Sequence, residues 1–275
     1  MNMLYGASVV LSGVSLILFF LYAYRKNRLV FRAGTFLLAA GMLTLAVFLG
    51  WAGARLHGHP AMMPFLSYNV MALLIYILFF LFEFRFKIPL LGTFLVPIGF
   101  FFNMLSLFAQ RLQVDEIRRV SGFLLGIHTG FLLLGEALFL LAFATSVMYL
   151  IQEKNLKSKR FNQWYSRFPS LAKLSELSGL GVSAGFPLIT GGLIIGFYWA
   201  SRVWGPGWYA DPKVIWSTLT WLAYALLFYG WVSNRIHGRR LAISVILCTF
   251  LIMGSLLISR FFTVVHTMKD GLGVN

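Results

Sequence analysis

Acidic side chains are what this sequence has least of. Eight Asp and Glu stand against 23 Lys and Arg in 275 residues, and charged residues make up only 11% of the chain. So little charge, with 59% hydrophobic residues, excludes a soluble domain of this length. Cysteine is almost missing as well, since Cys248 stands alone. That rules out an intrachain disulfide, a dithiol redox motif and a C-x-x-C-H site for covalent haem. The chain also lacks a nucleophile–base pair and a nucleotide-binding loop, so no independent enzymatic activity is expected. Paired broken spans and inverted repeats are absent too, which weakens a small-molecule transporter as an alternative.

What the chain has in abundance is apolar runs close to the roughly 20 residues that a membrane crossing needs. They fall near 4–24, 33–54, 64–84, 88–108, 122–151, 178–201, 213–233 and 240–260. Mean hydropathy is +0.81. The expected fold is an all-α integral membrane protein of about eight transmembrane helices, a single polytopic domain over 1–275. The first apolar run is long and flows into a basic loop, so it is expected to remain as a span. The formal charge of +15 sits in short loops between spans, which points to anionic lipid and orientation signals, with no nucleic acid as partner.

Loop charge also orients the chain. Fifteen of the 23 Lys and Arg follow spans one, three, five and seven, from Arg25 to Arg240. The positive-inside rule then places both termini outside, in what is expected to be a bacterial inner membrane. The largest inner loop, 152–176, carries charges among Trp164, Tyr165 and Phe168 and reads as an amphipathic helix on the cytoplasmic surface.

The same reading brings three distant features to the outer face. One is Trp204-Gly-Pro-Gly-Trp208-Tyr-Ala-Asp211-Pro-Lys213-Val-Ile-Trp216, between spans six and seven. Gly205, Pro206 and Gly207 force a turn, and Pro212 opens the next helix with Asp211 as its cap. The others are His128, at the start of span five, and His266, after span eight. Of the remaining histidines, His57 and His59 lie in an outer Gly/Pro loop and read as solvated, and His237 belongs to the inner basic cluster with Arg235, Arg239 and Arg240.

The aromatic loop resembles the tryptophan-rich motif of the cytochrome c assembly superfamily (CcsA/ResC, CcmC and the HemX-like proteins), roughly W-G-x-x-W-x-W-D-P-K. Trp204, Gly205, Trp208, Asp211, Pro212 and Lys213 match in register. Ala210 stands in place of a Trp, and Val214 in place of a frequent acid. The resembling region runs over about 122–268, with the first four spans similar only in hydropathy. The resemblance implies non-covalent haem b at the outer face, with His128 and His266 as axial ligands to the iron. Trp204, Trp208 or Trp216 would lie against the porphyrin, and Arg202, Lys213, Arg55 or Arg119 would answer its propionates.

Two roles follow from that resemblance. As an assembly subunit, the chain would hold haem for apocytochrome c thiols beside a second membrane subunit. As a HemX-like regulator or scaffold, it would contact a cytoplasmic haem-synthesis enzyme, glutamyl-tRNA reductase, through 152–176. Assembly proteins usually carry an inner histidine in the span after the tryptophan loop. Tyr229 occupies that place, which favours the HemX-like branch. Glu136, eight residues beyond His128 in an apolar span, reads equally as a cavity or proton-relay group and as a neutral acid bonded to a neighbouring helix.

Overall fold

A computed structural model describes residues 3–55, 63–109, 123–158, 168–203 and 207–271. Eight α-helices follow one another: α1 Met3–Arg25, α2 Arg28–Arg55, α3 Met63–Phe86, α4 Leu91–Ala109, α5 Phe123–Lys157, α6 Leu171–Val203, α7 Pro212–Val232 and α8 Gly238–Gly271. No strand occurs among the described residues. Among the described residues, seven of the helices, α1 to α7, are long and apolar enough to cross a membrane. The protein is an all-helical integral membrane protein, because only a helix satisfies its own backbone groups in lipid without a closed barrel.

Several helix ends carry recognisable stop and start signals. Lys26 and Lys87 take left-handed conformations, φ 56° and 52°, directly after α1 and α3. Their N–H groups close back on Tyr22 and Glu83 carbonyls at 2.9 Å. This is the usual geometry of a helix C-terminus, here with basic residues that also suit the negative end of the dipole. Asn27 Oδ1 accepts from Leu29 N at 2.8 Å and starts α2.

The chain divides into two compact units. The first comprises 1–125 and 147–174. Along α1, Tyr5, Ser8, Ser12, Ser15, Phe19 and Ala23 form the buried stripe, at the three-and-four spacing of one helix face. Gly41 of α2 lets the backbones meet, since a Cβ there would lie 3.3 Å from Ser12 N. Ser15 Oγ donates to Gly34 O at 2.8 Å across the same contact. On the α4 side, Tyr5 Oη donates to Asn103 O at 2.8 Å and lies 2.6 Å from Ser106 Oγ.

The second unit comprises 126–146 and 175–275. Its core gathers Phe139, Ala142, Val182, Tyr224, Leu227, Leu241 and Val245. Glycines set the approach of α5 and α6. A Cβ on Gly181 would fall 2.7 Å from Leu138 O, and one on Gly185 would fall 3.0 Å from Gly135 O. Such small-residue seams let membrane helices pack backbone to backbone. The inner loop is shorter than the sequence suggested. Residues 152–157 continue α5 and 171–176 begin α6, while 159–167, with Trp164 and Tyr165, lie outside the described residues.

Candidate functional site

Four turns of helix build the candidate site, all in the second unit. His128 lies in the second turn of α5 and is half-buried. Its Nδ1 is 2.7 Å from the carbonyl oxygen of Gly192 on α6. A carbonyl only accepts, so Nδ1 carries the proton, and in the neutral imidazole Nε2 keeps its lone pair. Gly196, one turn further along α6, lies under the ring, where any Cβ would collide with the imidazole. Gly192 and Gly196 thus form the seat of His128: one supplies the acceptor and the other the space.

The aromatic loop begins where α6 ends. Trp204, Gly205 and Pro206 lie outside the described residues. Gly207 has φ 93°, a left-handed conformation that a side chain would strain. It leads into a single 3-10 turn, Trp208–Ala210. The half-buried ring of Trp208 packs 5.7 Å from that of Phe197 on α6, and Tyr209 is exposed. Asp211 then caps α7 as expected, its Oδ1 accepting from Lys213 N at 2.8 Å with Pro212 in the first turn. The carboxylate of Asp211 therefore fixes the loop to the helix.

The cations lie where an anion would find them. Arg202 and Lys213 are both exposed, and the Arg202 guanidinium sits 5.6 Å from the Tyr198 ring centre. Lys213 acts electrostatically on His128, so the start of α7 and the start of α5 lie at one end of this unit. The side chain of Arg55 and the whole of Arg119 lie outside the described residues, as do His57 and His59.

Trp216 is placed differently from Trp208. Its indole N–H donates to Leu251 O at 2.9 Å, and its ring occupies the space that Gly254 leaves open. It ties α7 to α8. His266 belongs to α8, but its side chain lies outside the description. At 1.5 Å per residue its backbone is about 18 Å along a straight helix from Gly254. The described contacts tie His128 to Gly192 and Gly196 and Trp208 to Phe197, all on α6, with Asp211 capping the helix that carries Lys213. The His266 side chain lies outside the described residues.

Two further positions bear on the sequence reading. Tyr229 is 58% exposed, and the Arg235 guanidinium lies 5.6 Å from its ring centre. His237 packs edge-on against Trp231 at 5.0 Å. The seat formed by Gly192 and Gly196 was missed at the sequence level. Its one sequence sign is the four-residue spacing of two glycines late in α6, which looks like any helix-packing seam.

These features define an integral membrane protein with a histidine and an aromatic loop at one end of its second unit. The chain belongs to the Cytochrome C assembly protein family, whose family model matches residues 1–266. The match reaches the first four spans, so the kinship is not confined to 122–268. The chain is 26% identical over 253 residues to the cytochrome c biogenesis protein CcsA of Guillardia theta, covering 82% of each. It is 23% identical over 213 residues to CcsA of Trieres chinensis, covering 65% of this chain and 66% of that protein. With CcsA of Chlamydomonas reinhardtii it shares 26% over 163 residues, 56% of this chain and 44% of that longer protein. No solved structure matches. Membership of the family is consistent with c-type cytochrome biogenesis. The relatives named above are algal, so the kinship supports a membrane location without singling out the bacterial inner membrane.

Proposed function

We propose that the protein holds haem b non-covalently at the outer end of its second unit and presents it during c-type cytochrome assembly. The observation that carries this reading is the seating of His128. With Nδ1–H bonded to a backbone carbonyl, the imidazole is fixed in the tautomer that offers Nε2 to a metal, as metal-bound histidines are usually held. The donor chemistry at this end fits haem: an oriented imidazole, an indole at Trp208, and the cations Lys213 and Arg202 for carboxylates. The pocket beside Glu136, about 70 Å³, is far too small for a porphyrin, and this reading puts the haem at the loop end.

In this reading Trp208, with Trp204 before it, lies against the porphyrin, and Lys213 and Arg202 answer the propionates. Asp211 holds the loop in register, and Trp216 anchors α7 to α8. His266, in the C-terminal part of α8, would be the second residue to hold the iron. When bound, haem supplies the groups to which apocytochrome thiols are joined; the protein contributes orientation and exclusion of water. A second membrane subunit and apocytochrome c are the partners this role requires.

One observation favours a second, HemX-like reading. Position 229, where an inner histidine would receive haem, holds an exposed tyrosine. In that version the chain regulates glutamyl-tRNA reductase through the 152–176 segment and transfers no haem. Deleting the gene and measuring both covalent c-type haem and reductase abundance separates the two. Loss of c-type haem with unchanged reductase is the expected result. Altered reductase with normal c-type cytochromes would replace assembly by regulation.

A further inference from the structure

A half-open pocket of about 70 Å³ lies in the second unit, walled largely by Leu132, Ile189, Leu193 and Ile252. An apolar cavity of that size would stay dry, but this one has polar walls as well. Glu136 of α5 and Ser217 and Thr220 of α7 line it. The Thr220 hydroxyl has no accessible surface and no hydrogen-bond partner in the described structure, so a pocket water reaches it once the side chain turns toward the pocket. Glu136 makes no hydrogen bond among the described residues either. It is partly exposed and lines the pocket.

The polar groups follow one helix face. Lys213, Ser217, Thr220 and Tyr224 recur along α7 at steps of four, three and four residues, which stacks them on one side. Lys213, at the exposed start of α7, acts electrostatically on Glu136. Beyond Glu136 the file is closed. Phe139 and Tyr224 stack at 3.7 Å with 9° between their planes, and Tyr224 Oη lies 3.3 Å from Thr249 Oγ1. The polar path therefore runs from the Lys213 end to Glu136 and stops there.

Room and chemistry both suit water. At roughly 15 Å³ for each water, the cavity holds about four, and each needs two to four polar partners. A carboxyl group in a membrane span is found facing a partner or a water-filled cavity, since hydrocarbon cannot solvate it.

We propose that this cavity is a water-filled proton-exchange site, in which Glu136 takes up and releases a proton through waters held by Ser217 and Thr220, in contact with the Lys213 end only. The step is a proton transfer between hydronium and carboxylate, giving carboxylic acid and water; no electron moves. Lys213 and Tyr224, both on α7, are the titratable groups that act on Glu136. On its own helix, His128 lies eight residues away. The walls contributed by α6 and α8, Ile189, Leu193 and Ile252, do not titrate. The proposal does not depend on haem binding.

Infrared spectroscopy of the full-length protein in lipid nanodiscs tests it. Across a pH series, a protonated-carboxyl band should appear that is lost in Glu136→Gln and displaced in Glu136→Asp. On transfer to D2O the band should shift within the mixing time. In the Ser217→Ala/Thr220→Val double variant the shift should slow at least several-fold. A Glu136 band that has not moved after hours in D2O would show a dry cavity and overturn the proposal. So would absence of the band at every pH, or an unchanged exchange rate in the double variant. If Glu136→Gln does not fold, the displacement in Glu136→Asp alone assigns the band.

Discussion

In the first unit the fully buried polar side chains are hydroxyls and amides. Ser8, Ser12, Asn69, Asn103 and Ser106 are all 0% exposed, with the Tyr5 and Tyr76 rings buried among them. Its span carboxylate Glu83 sits three residues before the end of α3. In the second unit a carboxyl group, Glu136, stands mid-span at the wall of a cavity, with an imidazole two turns earlier on the same helix. Tyr5 joins α1 to α4 through Asn103 O and Ser106, while Ser8 Oγ, the Asn103 amide and Tyr76 Oη have no hydrogen-bond partner among the described residues. Neutral groups can be left so in lipid at a cost well below that of an ionised carboxyl. A carboxyl costs several times more, and it is kept where it has work to do. The second unit has buried hydroxyls too, Thr145 and Ser146 meeting Ser178 across α5 and α6, so what sets it apart is the mid-span carboxyl with an imidazole on the same helix.

The largest effect should come from closing the glycine seam of the second unit. Gly181→Leu would drive a side chain into the Leu138 carbonyl and the Ala142 backbone, which cannot move aside as a side-chain tip would. It should destabilise the protein by roughly 2–3 kcal/mol, read as a lowered unfolding temperature in detergent. Gly191→Leu, where nothing lies within 4 Å of a Cβ, should be nearly neutral. Tyr5→Phe, in the first unit, should cost only about 0.6 kcal/mol, because Ser106 Oγ keeps its 2.7 Å bond to Asn103 O. Equal losses from Gly181→Leu and Tyr5→Phe would erase the distinction between the units.

Orientation gives a test with no energetic cost. Loop charge puts the Trp208–Asp211 end of the second unit outside, together with both termini. In a background without Cys248, an impermeant thiol reagent should label a cysteine introduced at position 206 and spare one at 160. The reverse pattern would turn the histidine end inward and contradict presentation at the outer face.

Much of the fold was legible because membrane helices announce themselves by length and hydropathy. All eight apolar runs became helices, with α5, α6 and α8 extending well past the apolar part. The Asp211 cap and the turn at Gly207 were legible too, since capping and left-handed backbone are local chemistry. The seat of His128 was not, because the carbonyl of Gly192 is 64 residues away in sequence and glycine spacing reports close packing without naming the partner. Nor was the neutral seam of the first unit. Averaged hydropathy over α1 hides Tyr5, Ser8 and Ser12, whose shared face appears only when residues are read three and four apart. That same lack of salient residues explains why the motif reading covered 122–268 while the family match extends over residues 1–266.

The central claim is that His128, held by Gly192, presents an imidazole to haem iron. The direct measurement is the Soret spectrum of protein purified from haem-replete cells. The wild type should show six-coordinate haem. His128→Ala and His266→Ala should each lose or change that spectrum, while His237→Ala, whose ring packs on Trp231, should leave it intact. A protein without haem, or equal loss from all three substitutions, would contradict the account.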